Sequence, residues 1–291
     1  MAHEQTSFAI SEFCRVKRIT WENVQDRAPK IFDDTLNLAE ETPLSLVYNG
    51  IDYAVMMITP HSIHDFSIGF SVTEGIVSEA SEIRHIAISS VSGGLKADIR
   101  ISADALRKVL ARSRRPIAGR TSCGICGSDM NSIVTRNQNT VQAYTPDISA
   151  IRSALLHLRE HQTLNADIGM LHAAAWCTPD GSITSIREDV GRHNALDKLI
   201  GHGLTNSLDF ADGFCLLTSR CSYEMASKAI AAGMRALVSL SAPTAMAFRT
   251  AQQAGLTLIS PARADSMCIL PLSPEKSDTS GALATLFKEQ Q

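Results

Sequence analysis

The sequence predicts an α/β protein in which a smaller α+β unit precedes a larger unit built on a mostly parallel sheet. From about residue 170, short apolar segments alternate with amphipathic ones, which is typical of parallel strands covered by helices. Before that point two alternating runs flank Asn49 and Gly50, the strongest short signal for a β-hairpin. The hydrophobic fraction of 44% and charged fraction of 20% are those of an ordinary globular protein.

These patterns divide the chain into five predicted segments. They are a flexible arm over 1–40, a small α+β domain over 41–118, a mobile cysteine loop and connector over 119–148, an α/β domain over 149–270 and a flexible tail over 271–291. The small domain should hold the hairpin, a helix capped by Ser62, strands near 83–89 and 97–101, and a helix over 103–111.

The larger domain is predicted to continue as alternating helices and strands. In order, these are a helix over 149–159, a strand over 183–187, a helix over 192–200, a strand over 214–218, a helix over 223–232, a strand over 236–240, a helix over 244–254 and a strand over 257–259. The carboxyl ends of parallel strands face one crevice, so the polar turns that follow these strands should converge. We expect an anion-binding site there, lined by Arg192, His193, Ser219 and Arg263.

Charge and cysteine usage bound the class of protein. The net charge of −3 gives no general attraction to nucleic acid or to a membrane surface. No run of about 18 apolar residues is present, and the first residues lack the apolar stretch of a secretory signal. The seven cysteines are odd in number, so we expect reduced thiols in the cytoplasm, used in metal binding or catalysis.

The segment 121–127 carries the most specific chemistry, because Cys123 and Cys126 are separated by two residues and flanked by glycines. Such a pair can bind a metal, exchange a disulfide or carry sulfur. A structural zinc site needs four ligands, and no second pair of this spacing exists here. From the motif alone, incidental thiols or an incomplete metal site are about as good an interpretation as a sulfur carrier.

Basic residues precede the cysteines, and no acidic residue occurs between 105 and 128. The basic side chains are Arg107, Lys108, Arg112, Arg114, Arg115 and Arg120. Cationic neighbours lower the pKa of a thiol and so raise its thiolate fraction. A solvated helix face is the simpler interpretation of such a run, and its position beside the cysteines favours the functional one.

Two further segments lie where a strand should meet a helix. Residues 188–198 (EDVGRHNALDK) place acidic, basic and amide side chains around Gly191, and a helix N-terminus there can meet a phosphate. Residues 218–228 (TSRCSYEMASK) place Glu224 and Lys228 four residues apart, for which a surface ion pair is the simplest interpretation.

Several of these motifs resemble the formate dehydrogenase accessory proteins of the FdhD/NarQ family. The similarity rests on residues 122–127, 188–198 and 241–244, together with 46–51, 56–57 and 69–75, and it spans roughly 41–263. It implies a sulfurtransferase that receives sulfur from a cysteine desulfurase and passes it to the bis-molybdopterin guanine dinucleotide cofactor, with molybdenum or tungsten, of the formate dehydrogenase catalytic subunit. It also implies a homodimer and a cytidine-deaminase-like, three-layer C-terminal domain.

The resemblance implies specific roles for residues. Cys123 matches the persulfide-bearing cysteine of the family and Cys126 its second cysteine. The residues expected to bind the cofactor, or a guanine nucleotide as its mimic, are Asp189, Arg192, His193, Ser219, Glu224, Lys228, Pro261, Ala262, Arg263, Ala264, Asp265 and Ser266. No metal ligand is expected in the protein itself.

Two other functions remain open at this stage. A zinc deaminase shares the fold class, but it needs a His-x-Glu pair and a Pro-Cys-x-x-Cys pair, whereas Ser122 precedes Cys123 and no glutamate follows His172 at that spacing. A non-catalytic chaperone that only holds the cofactor fits the converging turns equally well. The sequence also departs from the family at Cys221, where a small residue is common, and at Ser260 and Pro261, where glycine and phenylalanine are usual.

Overall fold

The computed structural model describes residues 8–21, 28–113 and 139–272. Their strands are β1 (Ser11–Thr20), β2 (Lys30–Ala39), β3 (Thr42–Tyr48), β4 (Ile51–Ile58), β5 (Ile83–Val91), β6 (Gly94–Ile101), β7 (His172–Cys177), β8 (Ile183–Asp189), β9 (Phe214–Leu217), β10 (Ala236–Ser239), β11 (Thr257–Ala262) and β12 (Met267–Ile269). Their helices are α1 (Ile63–Thr73), a 3-10 turn (Ala80–Glu82), α2 (Ala103–Ser113), α3 (Ile148–His161), α4 (Asn165–Ile168), α5 (Arg192–Thr205), α6 (Tyr223–Ala231) and α7 (Ala245–Ala254). No described helix is long and apolar enough to cross a membrane.

The predicted arm contains a two-stranded antiparallel ribbon, which the sequence did not indicate. β1 and β2 pair along their whole length, from Ser11 opposite Ala39 to Thr20 opposite Lys30. Charged and apolar side chains occur on both faces of the ribbon, so the strict alternation that marks a half-buried strand is missing. Cross-strand ion pairs join Lys17 to Asp33 and Arg18 to Asp34. Pairing between strands here overrides a weak local pattern.

The small domain is a four-stranded sheet in the order β4-β3-β6-β5, packed on α1 and α2. The predicted hairpin turn is present, since Asn49 and Gly50 both have positive φ angles, 50° and 83°. Helix α1 begins next to Ser62 as expected, but the predicted side-chain cap is wrong. Ser62 has left-handed backbone angles and makes no side-chain cap hydrogen bond to the helix.

The large domain is built on a six-stranded sheet in the order β12-β11-β10-β9-β7-β8. Strands β9, β10 and β11 are parallel, while β7 is antiparallel to both β9 and β8. Every element predicted between 183 and 259 is present, and the largest difference is α5, which runs on to Thr205. Strands β7 and β12 and helix α4 were not predicted, so the sheet is more mixed than expected.

The large domain has three layers. Helices α5, α6 and α7 cover one face of the sheet, and α3 covers the other. The buried strand β9 shows how the sequence divides between the faces: Cys215 and Leu217 join the first cluster, whereas Phe214 and Leu216 join the second. A strand apolar on both faces is typical of the centre of a covered parallel sheet.

Helices α1 and α5 join the two domains by a very close crossing. A Cβ atom at Gly69 would lie 1.8 Å from the carbonyl oxygen of Asp197, and one at Gly201 would lie 1.8 Å from that of Asp65. Only glycine permits two helix backbones to approach this closely. The two domains therefore share one closely packed pair of helices.

Candidate functional site

The polar turns converge at one end of the strands of the large sheet, as predicted. Strands β8, β9, β10 and β11 all end there, and β7 begins there with His172 opposite Asp189. Adjacent strands lie about 4.8 Å apart, so the edge from β8 to β11 is roughly 19 Å wide. We call this row of strand ends, from β8 to β11, the cleft edge.

The carboxylate of Asp189, at the end of β8, makes four contacts within the protein. Its Oδ2 accepts a hydrogen bond from the backbone nitrogen of Thr59 at 3.0 Å and lies 2.6 Å from the ammonium of Lys198. Its Oδ1 accepts from Gly191 at 2.8 Å and from Asn194 Nδ2 at 2.9 Å. The side chain is fully buried, and both oxygens are engaged by the protein. Asp189 therefore shapes the turn at the cleft edge and offers no free oxygen to a ligand.

Neighbouring residues of the same motif tie the two domains together. Lys198 donates to the carbonyl oxygens of Thr59 and Glu188, and Asn194 donates to that of Met57. The carboxylate of Glu188 accepts from two backbone nitrogens at the start of α4. Burial lowers the pKa of Lys198 although Asp189 opposes it. Most polar residues of 188–198 thus act structurally.

Arg192 is the residue of this motif best placed to meet an anion. It opens helix α5 and is partly exposed. Among the described residues, only three buried side-chain nitrogen or oxygen atoms lack a hydrogen-bond partner, and Arg192 Nε is one of them. An unpartnered guanidinium donor at a helix N-terminus is suited to a phosphate or carboxylate.

His193 and Glu224 form a pair across the cleft edge, between the starts of α5 and α6. Glu224 Oε2 lies 3.8 Å from His193 Nε2, and the hydroxyl of Ser222 lies 3.5 Å from the same nitrogen. His193, together with Ser222, lowers the pKa of Glu224 to about 2. Ser222 stands at the N-cap position as predicted, but its side chain makes no cap hydrogen bond to the helix.

The surroundings of this pair are cationic. Burial lowers the pKa of the half-buried His172, and the nearby Arg192, His193 and Arg220 lower it further. Asp189 opposes this shift, but its charge is already neutralised by Lys198. A negatively charged ligand would relieve the repulsion, so the arrangement favours anion binding.

Lys228 does not form the surface pair with Glu224 that the sequence suggested. Its ammonium is buried and lies 2.8 Å from Asp197 Oδ2 and 3.1 Å from Glu74 Oε1. It also donates to Thr73 Oγ1 at 2.9 Å. Burial alone would lower the pKa of Lys228, but the carboxylates of Asp197 and Glu74 raise it above its ordinary value. Lys228 therefore faces the core rather than the cleft edge.

The remaining predicted residues lie along the cleft edge. Ser219 is buried in the β9–α6 connection, where its hydroxyl donates to the carbonyl oxygen of Arg220. Pro261 and Ala262 are the last residues of β11, and residues 263–266 form the tight turn to β12, closed by a hydrogen bond from Arg263 N to Ser266 O at 2.7 Å. Arg152 of α3 donates to the carbonyl oxygen of Ala264. Ala262 is buried, whereas Pro261, Arg263, Asp265 and Ser266 are exposed and Ala264 is half-buried.

Ser260, one of the departures from the family pattern, has a structural role. Its hydroxyl donates to the carbonyl oxygen of Ser241 at 2.7 Å and lies 2.7 Å from the hydroxyl of Ser239. These contacts join β10 and the loop after it to β11, two residues before that strand ends at Ala262. Residues 241–244, which also carry the family resemblance, lie at the same place, and Thr244 caps α7.

The cysteine pair that carries the sequence prediction, Cys123 and Cys126, lies outside the described residues. The arginines at 114, 115 and 120 do too. Within 8–21, 28–113 and 139–272, no group of three or more potential metal-ligating side chains occurs. Three members of the basic run, Arg107, Lys108 and Arg112, lie on α2, where Arg107 pairs with Asp104 and Lys108 donates to Ser78.

A comparison with known families decides the assignment that the motifs suggested. The FdhD/NarQ family profile matches residues 39–272 of this chain. The chain belongs to the FdhD/NarQ family. The resemblance read from residues 122–127 and 188–198 is thereby confirmed.

Curated relatives agree with this family. A protein of Xanthomonas euvesicatoria named "Sulfur carrier protein FdhD" is 42% identical over 242 residues, 83% of this chain and 85% of the relative. One of Cupriavidus necator with the same name is 44% identical over 224 residues, 76% of this chain and 77% of the relative. A Desulfotalea psychrophila crystal structure, described as a candidate formate dehydrogenase accessory protein, has a TM-score of 0.70 at 19% identity. It covers 92% of this chain and 99% of its own, and at that identity it shows a shared fold alone.

Sequence reasoning missed the residues behind the cleft edge. Asp197, Thr73 and Glu74 were not singled out, although they surround the ammonium of Lys228. One signal was available in the spacing, since Asp197 follows His193 by four residues as Lys228 follows Glu224. That a second helix would supply the partners could be known only from the fold.

Proposed function

We propose that this chain is a sulfur carrier that serves formate dehydrogenase. It accepts sulfur from a cysteine desulfurase as a persulfide on Cys123 and delivers it to the bis-molybdopterin guanine dinucleotide cofactor. The observation that carries the proposal is the family match over 39–272, with relatives named sulfur carrier proteins at 42–44% identity. The cofactor, which carries either molybdenum or tungsten, is the substrate of this transfer.

Thiol chemistry supports Cys123 over the buried cysteines. Burial raises the pKa of Cys177 and Cys221 to about 12, and it raises that of Cys215 as well. Such thiols stay protonated and inaccessible, and only a thiolate attacks a persulfide efficiently. In the loading step, the Cys123 thiolate attacks the outer sulfur of the desulfurase persulfide, and the desulfurase cysteine leaves as a thiolate. We propose that Cys126 assists this exchange.

The cleft edge supports an anionic, nucleotide-bearing substrate. Arg192 is partly exposed at the start of α5 and has a buried Nε without a hydrogen-bond partner, and the next residue, His193, lies 3.8 Å from Glu224. We propose that Arg192 and His193 contact a pyrophosphate group, with Ser219 beside them and Arg263 at the far end of the edge. The stretch from Pro261 to Ser266, at the end of β11 and in the turn after it, would contact the rest of the nucleotide.

Several finer features belong to the same proposal. We propose a cytoplasmic homodimer that meets a cysteine desulfurase and the catalytic subunit of formate dehydrogenase in turn. We also propose that the three-layer large domain is cytidine-deaminase-like. Its sheet order and its helices on both faces are consistent with that description.

A complementation experiment tests the function. A strain that lacks its own accessory gene receives either this chain or its Cys123→Ala variant, and formate dehydrogenase activity is measured together with the amount of accumulated protein. We expect activity with the former and none with the latter at equal protein levels. Full activity with Cys123→Ala would instead support the non-catalytic chaperone, which needs the cleft edge but not the thiol.

A further inference from the structure

Helices α5 and α6 are joined by two contacts at matching positions. His193 and Asp197 are four residues apart on α5, and Glu224 and Lys228 are four residues apart on α6. Residues at this spacing lie on one face of a helix, one turn apart. His193 meets Glu224 at the cleft edge, and Asp197 meets Lys228 one turn deeper.

The deeper contact is the more buried of the two and has more hydrogen-bond partners. The side chains of Asp197 and Lys228 are 2% and 8% exposed, whereas those of His193 and Glu224 are 11% and 19% exposed. The Lys228 ammonium has oxygen partners from Asp197, Glu74 and Thr73 at distances of 2.8 to 3.1 Å. Thr73 Oγ1 in turn donates to Asp197 Oδ1 at 2.7 Å. A buried ion pair with every partner satisfied allows little movement.

Helix α1 of the small domain completes this cluster, because Thr73 is its last residue and Glu74 is its C-cap. The close approach of Gly69 to the Asp197 carbonyl fixes the backbone of α1 and α5 beside it. Helices α1, α5 and α6 therefore all contribute residues to the contacts around one ammonium group.

We propose that Thr73, Glu74, Asp197 and Lys228 are positioning residues that set the separation of His193 and Glu224 and so the anion-binding geometry of the cleft edge. We call them the positioning cluster. None of them touches the substrate; they act through the two side chains one turn above. The link to substrate binding rests on the proposed function, while the link to His193 does not.

The test compares three full-length variants. Lys228→Met removes the ammonium, and Thr73→Val removes two hydrogen bonds while it keeps both the side-chain volume and every charge. Lys96→Met is the matched control, because Lys96 forms an exposed ion pair with Asp98 on the small domain. The imidazole nitrogen shifts of His193 are measured by NMR without ligand, with the assignment made from His193→Gln. Binding of guanosine diphosphate is measured by calorimetry.

We expect Lys228→Met and Thr73→Val to shift the His193 resonances and to raise the dissociation constant for guanosine diphosphate by roughly tenfold, or about 1.4 kcal/mol. Lys96→Met should change neither. Should Lys228→Met fail to fold, Thr73→Val decides the question. Wild-type His193 shifts and affinity in folded Thr73→Val would overturn the proposal. Absence of nucleotide binding by the unaltered protein would count against the proposed function, and the ligand-free His193 shifts would still test the positioning cluster.

Discussion

At the scale of residues, the motif 188–198 shows what a sequence can and cannot assign. Its density of polar side chains led us to expect a binding site, but Asp189, Asn194 and Lys198 are engaged in contacts within the protein. Arg192 and His193 are the residues of this motif that we propose to contact a ligand. The difference depends on which way each side chain faces, and no pattern in the chain encodes that when strand, turn and helix meet within a few residues.

The first prediction separates structure from binding at Asp189. Asp189→Asn leaves the buried Lys198 ammonium without its counter-charge, so the free energy of unfolding should fall by about 3–5 kcal/mol. Urea unfolding measures this loss. Asp98→Asn, which removes an exposed ion pair with Lys96, should change it by less than about 1 kcal/mol. Near-normal stability combined with lost nucleotide binding would show that Asp189 is a ligand after all.

The second prediction concerns pH. His193 holds the pKa of Glu224 at about 2, below its ordinary value of 4.5. A carboxyl whose pKa is lowered by folding stabilises the protein above its unfolded pKa and loses that contribution as the pH falls towards the folded pKa. The difference in unfolding free energy between the wild type and Glu224→Gln should therefore shrink as the pH falls from about 5 towards about 2. A difference that does not vary across this acidic range would refute the prediction.

At the scale of elements, the helices were easier to predict than the strands. Each long helix of the large domain carries an apolar stripe that can be recognised locally, and the ends of α6 and α7 were placed within a residue. β7 was missed because its alanines, buried in the centre of the sheet, carry little local signal. The ribbon β1–β2 was missed because its strands are stabilised by each other rather than by a buried face.

The third prediction tests the helix crossing that brings the domains together. In a helix interior, glycine to alanine normally stabilises by roughly 0.5–1 kcal/mol. At Gly69 the added Cβ would lie 1.8 Å from the backbone of Asp197, so Gly69→Ala should destabilise the protein instead. Gly203→Ala is the comparison on α5, where the added Cβ would lie 2.2 Å from the tip of the Phe210 ring, a side chain that can shift where the Asp197 backbone cannot. Thermal unfolding should show a larger loss for Gly69→Ala, and equal losses would contradict the crossing.

At the scale of the whole molecule, the α/β class and the order of the two units were predictable because alternation of strands and helices leaves a long-range pattern. The converging strand ends followed from a general rule for parallel sheets. The coupling between domains was not predictable, since it depends on Thr59, Thr73 and Glu74 reaching residues far away in the chain. Such pairings are fixed only when both units have folded.

The proposed function depends on two features of the molecule. One is a thiol pair at Cys123 and Cys126 that the sequence alone indicates. The other is a cationic edge that the fold assembles from the helix starts of the large domain, supported by the small one. We propose that the transfer of sulfur to a nucleotide-bearing cofactor uses both.

The most direct test of the proposed function is the fate of sulfur on the protein. The Cys14→Ser/Cys268→Ser background removes the exposed thiols of the described residues and leaves the buried ones inert. This protein is incubated with a cysteine desulfurase and L-cysteine, and intact-mass and fragment spectra locate any added sulfur. We predict one labile sulfur atom on Cys123, absent from the Cys123→Ala variant. Sulfur located on another cysteine, or none at all while the desulfurase turns over, would contradict this prediction.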